Sequence, residues 1–176
     1  MHSTPLESLD KRTLKQIQLQ FRQDNLCQNR SSRNSTLLSL CRPTISLDPI
    51  LWLPMTRIER NRCVRWRLGW LPGGTPRPCP LHPSQKLTKS HSIHCLNMHR
   101  RLQLSETIVD PLSFLLNKLP HRTPHSFRAA LPWSLRWPTI CTILHELDYL
   151  CHDKIPPSPP PYIGQRFLEW LPNVSR

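Results

Sequence analysis

Twenty prolines against four glycines, in 176 residues, limit what this chain can fold into. Each proline fixes its own φ, removes a backbone donor and pushes the residue before it away from the helical region. Turns must therefore rest on proline, and the regular elements are predicted to be short. Hydrophobic residues make up 38% of the chain, less than a globular domain normally carries, so any core is small. A core of that size needs a staple.

The sequence offers one. Cys79-Pro80-Leu81-His82 is followed by His91-Ser92-Ile93-His94-Cys95, giving the pattern C-x2-H-x8-H-x3-C. Two sulfurs and two imidazoles at such spacing suit a closed, tetrahedral Zn2+ shell. Pro78, Pro80 and Pro83 favour a tight turn that aims Cys79 and His82 at one point. His91 and Cys95 stand four apart behind Thr88, a natural helix cap, and positions i and i+4 share a helix face. The alternative is a coincidental cluster of core and surface residues. If His91 is not the third ligand, His94 or His99 can replace it. The fold class expected is small and mainly α: a zinc-stapled turn-helix module with short helices and irregular, proline-rich, partly disordered segments.

Charge is concentrated around this motif. The net charge is +13, yet residues 51–102 alone hold ten Lys/Arg against one acid, Glu59. Such a block attracts phosphate by counterion release without reading base sequence. The candidate nucleic-acid contacts are Arg57, Arg60, Arg62, Arg65, Trp66, Arg67, Lys86, Lys89, Arg100 and Arg101. Thr56 and Glu59 form a capping box for a helix that Gly69 should end. Trp66 and Trp70 either stack on bases or serve as core.

Elsewhere, Thr4-Pro5-Leu6-Glu7 is a second capping box, for a polar helix reaching about Gln23 with Leu14, Ile17 and Phe21 on one side. Gln28–Thr36 reads as a polar linker, and Pro72-Gly73-Gly74 as a turn. Asp110-Pro111 starts a short apolar helix over 112–119. Residues 120–138 look irregular, and Thr139–His152 is an amphipathic helix. Cys141 and His145, four apart there, are read as core cysteine and surface histidine in preference to a second metal site. Five prolines between 156 and 161 favour polyproline II, and Pro159, Pro160 and Tyr162 complete a P-P-x-Y peptide motif. That segment is either a stiff spacer or a ligand for a WW-type domain.

Several function classes are set aside. The cysteine count is odd, Met1 is followed by polar residues, and no stretch approaches the length of a membrane span; the chain reads as intracellular, with reduced thiols, not secreted. No P-loop, G-x-S-x-G or H-E-x-x-H occurs. The eleven acids are scattered, without the paired carboxylates that two-metal phosphoryl transfer requires. No catalytic residue is assigned.

The string TRIERNRCVRWRLGWLPGGTPRPCPLHPSQKLTKSHSIHCLNMHRRL resembles the region after the polymerase domain in non-LTR (LINE-type) retrotransposon reverse transcriptases. The matching residues are Trp66-Arg67-Leu68, Leu71-Pro72, Cys79-Pro80-Leu81-His82, Thr88-Lys89-Ser90-His91 and Cys95. His82 stands where that family usually has cysteine. DPLSFLLNKLP and WPTICTILHELDYLCHDKIPPSPPPYIGQRFLEWLP look like the tail of fungal copies, so the likeness spans roughly residues 37–172. It implies a zinc-binding, nucleic-acid-contacting accessory fragment that works in the nucleus beside an upstream polymerase, on RNA or DNA. It also implies no polymerase activity of the chain's own, since no Y-x-D-D or F-x-D-D is present. The organisation expected is a polar helix and linker over 1–36, a basic segment with the zinc module over 37–102, a helical region over 103–155 and a proline-rich tail over 156–176. The competing readings are a protein-interaction adaptor, using the 139–151 helix and the P-P-x-Y tail, and a non-functional element remnant.

Overall fold

The structure, a computed structural model, describes residues 10–32, 36–69 and 77–172. These divide into two compact units, one ending at Leu47 and one beginning at Asp48. In the first, helix α1 (Lys11–Ser31) starts at Asp10, whose carboxylate accepts the Thr13 N–H at 2.7 Å. The Thr4–Glu7 capping box lies outside the described residues. The helix runs past Gln23 because nothing stops it: residues 28–31, read as linker, form its last turn, and Arg30 there suits the helix dipole. The Arg30 guanidinium donates to the carbonyls of Leu38 and Ser39, at 2.8 and 3.1 Å, around the end of α2 (Thr36–Leu40). No residue of α1 is buried, and Ile17 and Phe21 are exposed.

The second unit contains the core. Asp48 caps a single 3-10 turn over Pro49–Leu51, and α3 (Arg57–Arg67) follows. The capping box of α3 is complete: Glu59 N–H donates to Thr56 Oγ1 at 3.2 Å, and Thr56 N–H donates to Glu59 Oε2 at 2.8 Å. Gly69, with φ of 67°, ends the helix in the left-handed conformation that glycine adopts without steric cost. A short hairpin, β1 (Pro78–Cys79) and β2 (His82–Lys86), leads to α4 (Lys89–Cys95) and α5 (Met98–Arg101). Asn97, at φ 48°, breaks the chain between these two helices. Helix α6 (Pro111–Asn117) starts where the sequence places it, on Asp110 as cap and proline at its first position. The Leu71–Pro72 pair, the Pro72-Gly73-Gly74 turn and Trp70 lie outside the described residues.

Residues 120–138 depart from expectation. Helix α7 (Phe127–Leu150) is 24 residues long and carries Pro132 and Pro138 inside it. An interior proline costs about 3 kcal/mol, and tertiary burial outweighs that here. Ala130, Trp137, Ile140, Ile143, Leu144, Leu147 and Leu150 are all buried. The apolar face of residues 139–151 is thus spent on the core, against α3 and against α8 (Gln165–Trp170). His145, expected at the surface, is buried with it and packs against Tyr149, ring centroids 4.9 Å apart. The chain is mainly helical as expected, but proline does not keep its longest helix short.

Helix α8 seats Phe167, fully buried, beside Trp137 and Trp170, with centroids at 4.7 and 5.6 Å. Gly164 precedes it with φ of 79°, and a Cβ there would lie 2.8 Å from Trp137 Cδ1. Its N–H donates to Glu59 Oε1 at 2.7 Å, so one carboxylate serves both the α3 cap and the α8 junction. Gly164→Ala should therefore destabilise the chain by about 2 kcal/mol, through strain and collision together. A lowered urea midpoint with unchanged slope is the expected result; an unchanged midpoint would show that Trp137 yields freely.

Candidate metal centre

Cys79 and His82 face each other across the hairpin, joined by the two-residue turn Pro80-Leu81. Prolines at 78, 80 and 83 fix φ at three points of this short segment. The Leu87 N–H donates to the Arg77 carbonyl at 2.7 Å, and buried Leu87 anchors the exit of the second strand. Thr88 then caps α4: its hydroxyl accepts the His91 N–H at 3.1 Å, and its carbonyl accepts Ser92 Oγ at 2.8 Å. Ile93 and Leu96 are buried in the core, which turns His91 and Cys95 toward the hairpin.

The four ligand atoms come together. One atom from each of Cys79, His82, His91 and Cys95 lies within 4.8 Å of all the others, close enough to bind a metal ion. The Cys79 and Cys95 sulfurs are 3.7 Å apart, and Cys79 Sγ is 3.9 Å from His82 Nδ1. A tetrahedral ion with bonds of about 2.3 Å to sulfur separates two thiolates by about 3.8 Å, so the pair already spans one edge of such a shell. The His82 and His91 rings stand nearly perpendicular, centroids 5.3 Å apart. His91 Nε2 is buried without a hydrogen-bond partner among the described residues, an orphan that a metal would satisfy. His94 is exposed, and His99 Nε2 bonds the Ile108 carbonyl at 2.8 Å, so neither substitutes for His91.

Burial sets the protonation states here. Burial, with the neighbouring Cys79 sulfur, pushes the Cys95 thiol up to about 12. A bound metal reverses that preference, since a coordinating thiol loses its proton outright. Burial and the neighbouring His82 and His94 hold His91 below the ordinary histidine value, so it stays neutral, the form that ligates. Cys63, Cys141 and Cys151 are buried thiols with raised pKa values, inert by that measure. No second cluster of His, Cys, Asp or Glu with metal-binding geometry occurs among the described residues, Cys141 and His145 included.

Most of the basic block is engaged inside the protein. Arg62 and Arg65 both pair with Asp148, at 3.0 and 2.9 Å. Arg67 pairs with Asp48 at 3.2 Å, and Arg101 grips Glu146 with both terminal nitrogens. Lys89 reaches Asp110 at 2.7 Å, and Arg60 donates to the carbonyls of Ile50 and Leu53. Trp66 is buried and its indole N–H donates to Asp110 at 3.2 Å, so its ring is core and does not face a base. Arg57, Lys86 and Arg100 are exposed and form no ion pair among the described residues. Pro159, Pro160 and Tyr162 are exposed as well. Sequence reading passed over Asp48, Glu146 and Asp148, and gave Asp110 only the role of a helix start, not of a partner acid. For the three that follow the block a signal was present: six of the eleven acids follow residue 102, opposite in sign to the block that precedes them.

Comparison of the chain with protein-family models, with curated proteins and with solved structures yields no match. No helix among the described residues is long and apolar enough to cross a membrane.

Two outcomes follow from this geometry. Cys79→Ser and Cys95→Ser should each weaken zinc binding by about 100-fold or more, while His94→Ala leaves it unchanged; a competition titration against a chromophoric chelator checks both, and loss of affinity in His94→Ala would overturn the ligand assignment. The second concerns pH. His145, like His91, is held below its ordinary value, first by burial and then by a neighbouring cation, Arg62. A histidine depressed in the fold binds its proton better when unfolded, so stability is full above the ordinary value near 6.5 and falls as pH drops below it. Metal-free protein should lose stability between about pH 7 and pH 5, with a shallower slope in His145→Gln; a flat profile in the unmutated chain would contradict the burial of both rings.

Proposed function

We propose that the chain is a zinc-stapled, nucleic-acid-contacting accessory module of the kind that follows the polymerase domain in LINE-type reverse transcriptases, without polymerase activity of its own. The observation that carries the metal part is the 3.7 Å approach of Cys79 and Cys95 beside two imidazoles. A tetrahedral site with two sulfurs and two nitrogens suits zinc, and four protein ligands leave no open position for a catalytic water. The ion would act structurally. It would tie hairpin to helix in a unit whose sheet is only two short strands.

For nucleic acid, the supporting observations are the basic surplus of residues 51–102 and the exposed side chains it leaves, Arg57, Lys86 and Arg100. They would neutralise RNA or DNA phosphates, in the nucleus, where an element's polymerase meets its target. Arg60, Arg62, Arg65, Arg67, Lys89 and Arg101 act instead as internal fasteners, and their contribution to binding is through the fold they hold.

The salt dependence of binding separates these roles. With three phosphate contacts, the logarithm of the association constant for duplex DNA should fall with log salt at a slope of about −3. Ten engaged cations would give about −9. A slope near zero would remove phosphate contact from the proposal; loss of binding in Arg57→Ala/Lys86→Ala/Arg100→Ala with zinc still bound would support it.

A further inference from the structure

The chain between α7 and α8 combines exposure, rigidity and neutrality in a way that the metal centre and the basic block do not use. It leaves the core at Cys151 and re-enters it at Gly164, both buried. Between them Ile155 is 78% exposed and Tyr162 77% exposed, and every residue from Pro157 to Tyr162 faces solvent. Residues 154–160 belong to no helix or strand, and no peptide bond in the described residues is cis. Five of the residues from 156 to 161 are proline, so φ is fixed at each, and four of those six also precede a proline. Local sterics therefore favour extended, polyproline-type backbone through Pro160, and Pro161 and Tyr162 then sit in the turn that presents the tyrosine.

The ends of the run are held. The Lys154 N–H donates to the Tyr149 carbonyl at 3.1 Å, and the Ile163 N–H donates to Pro160 at 3.2 Å. Gly164 is fixed to Glu59 and wedged against Trp137, two residues past the tyrosine. Tyr162 is thus held out by its surroundings. Its ring and hydroxyl meet no partner among the described residues, although tyrosine has the apolar body and polar tip typical of an interface. From Ile155 to Gly164 there is no charged side chain, in a protein of net charge +13.

We propose that Pro159-Pro160-Pro161-Tyr162 is a docking strap for a partner protein with an aromatic-lined polyproline groove of the WW type. Such grooves take a preformed extended segment, here the prolines through Pro160, and gain affinity because little backbone entropy remains to be lost there. The two prolines would lie against the aromatic wall and Tyr162 would enter the adjoining pocket. Neutrality sets this strap apart from the phosphate contacts: binding rests on apolar area and leaves the basic residues untouched.

The test uses the full chain, loaded with zinc, titrated with a purified WW domain of the class that reads P-P-x-Y. Saturable binding is expected, weakened at least about tenfold in Tyr162→Ala and in Pro159→Ala, and changed less than about twofold between about 0.1 and 0.5 M salt. Both replaced residues are exposed, and an unchanged urea midpoint verifies that the variants fold. Absence of binding by the unmutated chain, equal binding by Tyr162→Ala, or binding that collapses with salt would each overturn the proposal.

Discussion

Three helices meet at the carboxylate of Asp110. One oxygen caps α6 by accepting the Ser113 N–H at 2.9 Å and takes the Trp66 indole N–H from α3. The other receives Lys89, the first residue of α4, at 2.7 Å. The ammonium also lies 4.6 Å over the Trp66 ring and reaches the Trp66 carbonyl. Asp110 is almost fully buried, and a charge so placed is tolerated only when paired and hydrogen-bonded. This junction fixes the start of the helix that carries His91 and Cys95. The Cys/His cluster depends on it for position, since the facing hairpin has little sheet of its own.

The same logic extends along the basic block. Its arginines are spread around α3 because different faces meet different acids: Asp48 on one side, Asp148 on another. Glu146 and Asp148, from the last turns of α7, bind Arg101 and Arg62 across more than forty positions of sequence. Partly buried pairs of this kind are screened less than surface ones and give register to helices that proline has separated. A surplus of +9 in one segment therefore overstates the free positive surface, because the compensating acids lie outside it, Asp48 before and Asp110, Glu146 and Asp148 after. Arg57, Lys86 and Arg100, and the neutral proline segment, face outward.

The cluster of Cys79, His82, His91 and Cys95, the caps at Thr56, Thr88 and Asp110 and the stop at Gly69 were legible in the sequence, because each rests on local chemistry at fixed spacing. Helix α7 was not. Pro132 and Pro138 mark a break by local rules, and only the burial of Trp137 and its neighbours, a tertiary fact, overrides them. Trp66 allowed two readings for the same reason: its burial depends on Asp110, 44 positions away. His145 looked peripheral because its burial depends on groups distant in sequence, Arg62 of α3 among them.

The central claim is that two sulfurs and two imidazole nitrogens close around one zinc. X-ray absorption at the zinc edge of the loaded protein measures that shell directly. The expected result is two sulfurs at about 2.3 Å and two nitrogens at about 2.0–2.1 Å. A first shell of oxygen and nitrogen alone, without sulfur, would contradict the account.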